Sequence, residues 1–142
     1  LADRISVETV ARDEDGFLEL GALRVSAYPV RHSDASVAFR FSSSCSGKTL
    51  TYSGDSDVCE GLVEAARKAD VFIVDCAFPE GKKSAGHLIP SEAGRIAREA
   101  DVSCVALTHL YPEAIAADLI TPCAAEFSGT LLVAEDGFTV NL

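Results

Sequence analysis

The apolar pattern of the chain changes character once, at "GKTLTYSGDSDVCEGL", Gly47 to Leu62, and that change bounds the fold more tightly than any other feature. Upstream, "RISVETVA", "FLEL", "ALRVSAYPV", "SVAFRFSSS" and "KTLTYS" are short β-favouring runs, separated by the acidic "RDEDG" and by Ser/Gly turns. They predict an antiparallel meander. Downstream, Val58, Leu62, Val63 and Ala66 recur at helical spacing, "VFIVDCAF" is a short apolar run between Asp70 and Pro79, and "SEAGRIAREA" is helical again. "SCVALTHL" then reads as a buried strand, so the second part alternates strands with helices that cover at least one sheet face. Ser56 or Asp57 could open the first helix, Asp57 lying near its start, and Pro90 fits the first turn of the second, where a missing N–H costs nothing. "GTLLVAEDGFTVNL" predicts a closing hairpin around Asp136-Gly137.

The 142 residues, 48% hydrophobic and 24% charged, fit one domain with a core. No apolar run reaches the roughly 18 residues that cross a bilayer, and no signal-peptide pattern is seen, so the expected location is the cytoplasm, away from any membrane. The chain begins with Leu1 rather than Met, which reads as a fragment or a processed product. Twelve Lys and Arg against 22 Asp and Glu give a formal charge of −10, a field that repels nucleic acid. A phosphate-bearing substrate would need local help, such as a bound cation. Cys45, Cys59, Cys76, Cys104 and Cys123 form no CxxC pair or His-linked zinc spacing and read mostly as small buried apolar residues in a reducing compartment.

Asp55 follows a strand across Gly54, at the C-terminal mouth where α/β proteins build sites. His109 ends "CVALTH" in the same position, so neighbouring strand ends would set a carboxylate and an imidazole on one rim. That pair suits zinc or manganese; the plain alternative is a satisfied structural histidine. His87, in "GHLIPSEAG", precedes a helix and fits a proton donor to a leaving oxygen or, equally, a loop histidine bonded to backbone. His32, in "YPVRHSDAS", either approaches a substrate or solvates an edge. Asp75 stands in the apolar "VFIVDCAF", where a buried carboxylate needs a partner: a histidine, or a helix-terminal amide or hydroxyl. The polar loop "PEGKKSAGH", residues 79–87, is the expected mobile segment.

In this order and at these separations, "SGDSD", "IVDCAFPEGKKSAGHLIPSEAG" and "CVALTHLYP" resemble the C-terminal half of metallo-β-lactamase-fold hydrolases, nearest the ribonuclease Z-like branch. "PVRHSDASVAFRF" matches the histidine that this branch carries before its "GD" strand. The resemblance implies the fold class: α/β, one half of a four-layer αββα sandwich, with a mixed, mostly antiparallel sheet and helices on one face. It makes residues 1–142 a single C-terminal half-domain, without the N-terminal half that bears the HxHxDH motif.

For the site, the resemblance implies two divalent metal ions in the complete enzyme, zinc first and manganese second. Asp55 would bridge them and His109 would ligate one, sharpening a water into hydroxide that cleaves a phosphodiester. His87 would protonate the leaving oxygen, Asp75 would orient His87, and His32 would face the substrate without ligating. Two departures stand out. With HxHxDH and one later histidine absent, this chain alone should hold metal poorly, and Ile89 replaces the threonine that caps the helix in "GHxT". Asp75 replaces the usual glutamate and shortens the reach to His87 by a methylene. Half a sandwich exposes an apolar sheet face, so the missing N-terminal half or a second copy in a homo-oligomer is the expected partner.

Two functions compete at this level. In the first, the parent is a metal-dependent phosphodiesterase, with a small phosphodiester or RNA as substrate, and the isolated chain is inactive. In the second, the chain is a non-catalytic half-domain or degenerate homologue that serves as an assembly module. A doubly wound binding protein is set aside because no Gly-rich phosphate loop is present.

Overall fold

The computed structural model describes residues 16–140. Seven strands form one sheet in chain order: β1 (Phe17–Leu20), β2 (Leu23–Pro29), β3 (Val37–Ser43), β4 (Thr49–Tyr52), β5 (Val71–Asp75), β6 (Cys104–Thr108) and β7 (Thr130–Val133). β1 to β4 pair antiparallel through short turns, and β4 to β7 pair parallel. The sheet is therefore mixed, and its pairs divide evenly between the two kinds among the described residues. The parallel connections carry α1 (Glu60–Ala66), α2 (Pro90–Glu99), and α3 (Pro112–Ile115) with α4 (Ile120–Glu126).

The helices cover one face of the sheet. Arg40 and Thr51, opposite one another on β3 and β4, both donate to the Ala65 carbonyl near the end of α1, at 2.8 and 2.7 Å. The next residues on that row, Phe72 and Val105, are fully buried, and with Leu62, Val74, Leu88, Ile96 and Leu107 they form the core. Burying such a side chain contributes about 1.5–3 kcal/mol.

Because side chains alternate along a strand, the register fixes the opposite face as well. Val25, Phe41, Leu50, Val71 and Cys104 form one row across the sheet, and Ala27, Phe39, Tyr52, Ile73, Ala106 and Leu132 the next. None of these belongs to the helix-side core; Tyr52 is exposed, and Phe39, Phe41, Leu50 and Ile73 are half-buried. An apolar face of this breadth fits a covering layer.

Local signals held at some element ends and not at others. Pro90 opens α2 as its spacing predicts, and Ile89, which has no side-chain acceptor, stands at the N-cap. Glu92 Oε2 takes over part of the capping by accepting from the Ile89 N–H at 3.3 Å. Asp57 does not start α1: its backbone pairs with Arg31, and Cys59 holds the N-cap. The hairpin expected at Asp136-Gly137 is not formed among the described residues. Gly137 supplies the positive φ of a turn, yet Phe138 and Val140 beyond it stay exposed rather than packing back on β7. "RISVETVA" lies outside the described residues. Of the cysteines, Cys76 and Cys123 are buried as expected, whereas Cys59 and Cys104 are half-buried and Cys45 is exposed.

Candidate metal centre

The site lies on the rim made by the C-terminal ends of β4, β5 and β6. Gly54 ends β4 with φ 59°, and a Cβ there would stand 3.2 Å from the Val37 carbonyl oxygen, so glycine suits the turn that delivers Asp55. Asp75 is the last residue of β5. His109 follows β6 in the left-handed region, φ 59°, a conformation that costs a non-glycine residue roughly 1–3 kcal/mol and that clusters at functional sites. His32 follows β2, and His87 closes the polar loop before α2.

Asp55 sits between two imidazoles. Its Oδ1 is 3.6 Å from His109 Nε2 and its Oδ2 is 3.9 Å from His32 Nε2. Both gaps are too wide for hydrogen bonds. Two ligand atoms each about 2.0–2.2 Å from one cation at a tetrahedral angle stand roughly 3.3–3.6 Å apart, close to these separations. His32, Asp55 and His87 also offer ligand atoms that all lie within 4.8 Å of one another.

The carboxylate of Asp75 is buried, with 1% exposure, and takes the histidine partner of the two options read from the sequence, together with two loop amides rather than a helix-terminal amide or hydroxyl. Its Oδ1 accepts from the Ala77 N–H at 2.9 Å; its Oδ2 accepts from the Ser56 N–H at 3.2 Å and from His87 Nδ1 at 2.8 Å. A carboxylate only accepts, so Nδ1 of His87 carries the proton and Nε2 is its free nitrogen. The same logic applies to His32, whose Nδ1 donates to the Gly86 carbonyl at 3.0 Å and leaves Nε2 towards Asp55. Acceptors behind imidazoles in this way fix the tautomer that a metal ligand needs.

Aromatic rings pack around these groups. His87 stacks on His109 with centroids 5.4 Å apart, His32 meets His87 edge-on at 5.0 Å, and Phe78 and Tyr111 flank them. The loop from Pro79 to His87 is tied down rather than free: Lys82 pairs with Glu113, and Lys83 with both Asp57 and Glu92. Asp57, Lys83 and Gly86 were not legible as site residues, because their contacts join segments far apart in the chain. Beside His109 opens a groove of about 850 Å³, lined by Tyr111, Ile115, Ile120 and Val133 with Asp118 and Glu135, and without a Lys or Arg.

The residues fit a divalent cation in chemistry and spacing. The His32 imidazole with its tautomer fixed, the His109 imidazole, and a carboxylate with one oxygen toward each are a borderline-cation donor set.

The family described as "Beta-lactamase superfamily domain" matches residues 2–110. The chain belongs to that superfamily. Its fold is that of one half of a metallo-β-lactamase sandwich, of the ribonuclease Z-like kind. An uncharacterized protein of Mycobacterium tuberculosis is 37% identical over 126 residues, 86% of this chain and 46% of its own length. The ribonuclease Z of Myxococcus xanthus is 36% identical over 102 residues, 68% of this chain and 33% of its own. The metallo-β-lactamase fold protein YhfI from Bacillus subtilis superposes with a TM-score of 0.80 at 30% identity, covering 91% of this chain and 54% of that one. The chain thus spans about half, or less, of the length of the curated relatives it matches. No described helix is long and apolar enough to cross a membrane.

Proposed function

We propose that these residues form the C-terminal half of a metal-dependent phosphodiesterase whose preferred substrate is a small phosphodiester. The observation that carries this reading is the Asp55 carboxylate with one oxygen toward His109 and the other toward His32, next to the buried Asp75–His87 pair. Asp55 would be shared between two divalent cations, with His109 on one side. His32, read from the sequence as facing the substrate, is assigned here to the other side, because with Nδ1 donating to Gly86 its Nε2 lone pair faces Asp55 Oδ2 at 3.9 Å, and two acceptors facing one another suit a cation between them. When bound, such cations polarise a phosphoryl oxygen and lower the pKa of water.

The remaining chemistry belongs to the chain itself. His87, held by Asp75, presents Nε2 to the rim, where in its protonated form it donates to the departing oxygen; such a step is worth typically 10²–10⁴-fold. Asp75 stabilises the imidazolium and keeps the ring from turning. The stacked His109, with Phe78 and Tyr111, restricts water around that proton.

The charge pattern favours a small substrate over RNA. A protein that grips a polynucleotide does so through Lys and Arg on phosphates. Here the formal charge is −10, and the groove beside His109 carries carboxylates and no basic residue. Location in the cytoplasm and association with the missing N-terminal half belong to the same reading, the apolar sheet face being the surface that half would cover.

The test is turnover by the intact protein, with manganese or zinc, of bis(4-nitrophenyl) phosphate and of a tRNA precursor. The reading expects metal-dependent hydrolysis of the small diester, abolished by Asp55→Ala. Metal-bound protein that cleaves neither compound would favour the assembly-module alternative, and cleavage of the tRNA precursor alone would overturn the small-substrate assignment.

A further inference from the structure

Asp57 makes no hydrogen bond to an imidazole among the described residues, yet it joins its own segment to two others that build the site. Its backbone N–H donates to the Arg31 carbonyl at 2.7 Å, directly before His32. Its Oδ2 accepts from the Gly86 N–H at 3.1 Å, directly before His87. Its Oδ1 accepts from Lys83 Nζ at 2.6 Å and from the Val58 N–H at 2.8 Å. Lys83 Nζ also donates to Glu92 Oε2, the oxygen that caps α2. The Gly86 carbonyl lies in the following peptide, whose N–H, that of His87, donates to the Ser84 carbonyl at 3.3 Å; this Gly86 carbonyl accepts from His32 Nδ1. Nothing larger than glycine fits at this point: φ is 86°, and a Cβ would stand 2.9 Å from His32 Nδ1.

We infer that Asp57 and Lys83 form a lock that fixes the Gly86 carbonyl and, through it, the tautomer and orientation of His32. Asp57 and Lys83 are positioning residues, acting through Gly86. The side chains are suited to this: Asp57 is 16% and Lys83 32% exposed, so their contact is shielded from water more than an ordinary surface pair. The charge of Lys83 is shared between two carboxylates, which draws the loop down at Asp57 and at the start of α2 together. Without the lock, the Gly86 N–H loses its acceptor and the loop its tether at Lys83, so the Gly86 carbonyl is held against His32 Nδ1 only through the His87 N–H to Ser84, and either ring nitrogen can carry the proton. Outer-sphere partners of this kind are worth about 10–100-fold in metal affinity. The consequence for cation binding rests on the assignment of His32 proposed above; the tautomer does not.

The experiment is long-range ¹H–¹⁵N spectroscopy of the histidine rings in the metal-free intact protein at about pH 8.5, where an ordinary imidazole is neutral. Wild type should show His32 protonated at Nδ1. Asp57→Ala should convert His32 to a mixture or to the Nε2-protonated form, while His87, held by Asp75, keeps its pattern. Lys83→Ala should act in the same direction more weakly, and Lys83→Arg should restore the wild-type spectrum. Lys83→Ala also decides the matter if Asp57→Ala does not fold. An unchanged His32 in a folded variant, or equal changes at His32 and His87, would overturn the lock. Zinc titration of the same proteins separates the two ideas: a shifted tautomer with about a tenfold or greater loss of affinity supports both. A shifted tautomer with undiminished affinity keeps the lock and removes His32 from the cation site.

Discussion

Asp75 and His87 are joined at 2.8 Å through Oδ2 and Nδ1, with the carboxylate wholly beneath the surface and the ring at its edge. This relationship predicts two different losses. His87→Ala should lower turnover by about 10²–10⁴-fold, with little change in KM, because only a proton donor is removed. Asp75→Ala should in addition destabilise the protein, because the Ser56 and Ala77 N–H groups are left buried without an acceptor, at about 1–3 kcal/mol each. Chemical denaturation of the two variants checks the contrast.

Asp55 is the carboxylate that both imidazoles address, so Asp55→Ala should cost more metal affinity than any outer-sphere change. A loss of at least about 100-fold is expected, read by isothermal titration with zinc or manganese. The fold should persist, since the side chain is on the open rim and supports no buried group.

Thiol chemistry should divide the cysteines by burial. Cys76 is pushed up to about 12 by burial, with Cys123, Asp75 and Glu80 adding to the effect, and burial pushes Cys123 up to about 11, both from an ordinary value of 9.0. The native thiols therefore keep their protons where the unfolded ones lose them. Stability from this source is complete below the unfolded value and falls as pH rises from about 9 toward 12. A native-state label should react fast at the exposed Cys45 and leave Cys76 and Cys123 untouched. A denaturation series across that alkaline range should show the decline.

On the acid side, Lys48, bonded to Asp70 at 2.7 Å, together with the Thr49 N–H, holds the Asp70 carboxyl below the usual carboxylate range. A lowered carboxyl contributes stability above its unfolded value and loses it as pH falls through the folded one. Asp70→Asn should flatten that acid limb. The pair is half exposed, so the effect should be small and should shrink with added salt.

The apolar sheet face makes a prediction of its own. Tyr52→Lys or Phe41→Glu should reduce self-association of this chain alone in sedimentation experiments. The same changes should destabilise the intact protein, where the N-terminal half is proposed to cover that face.

Much of the site was legible because strand ends are local features. Asp55 after Gly54 and His109 after "CVALT" each sit where a strand pattern stops, and the sheet brings those ends beside Asp75, which stands inside its apolar run at the last residue of β5. Asp75 could be read as paired because an unpaired buried carboxylate is too costly. The placing of His32 was not legible: its ring is set by a carbonyl 54 residues away, and no local pattern encodes that contact. Asp57 misled for a related reason. An aspartate before a helical pattern is a common N-cap, but here its carboxylate is drawn to Lys83 and Gly86, and the helix starts later. The final hairpin is absent among the described residues although Gly137 makes the turn, because Phe138 and Val140 stay exposed beyond it.

The central claim is that Asp55 lies between two cation positions. It is tested most directly by anomalous diffraction from crystals of the intact protein grown with manganese. The account predicts two peaks, one within ligand distance of Asp55 Oδ1 and His109 Nε2 and one within ligand distance of Asp55 Oδ2 and His32 Nε2. Manganese bound elsewhere, with no peak at Asp55, would contradict it.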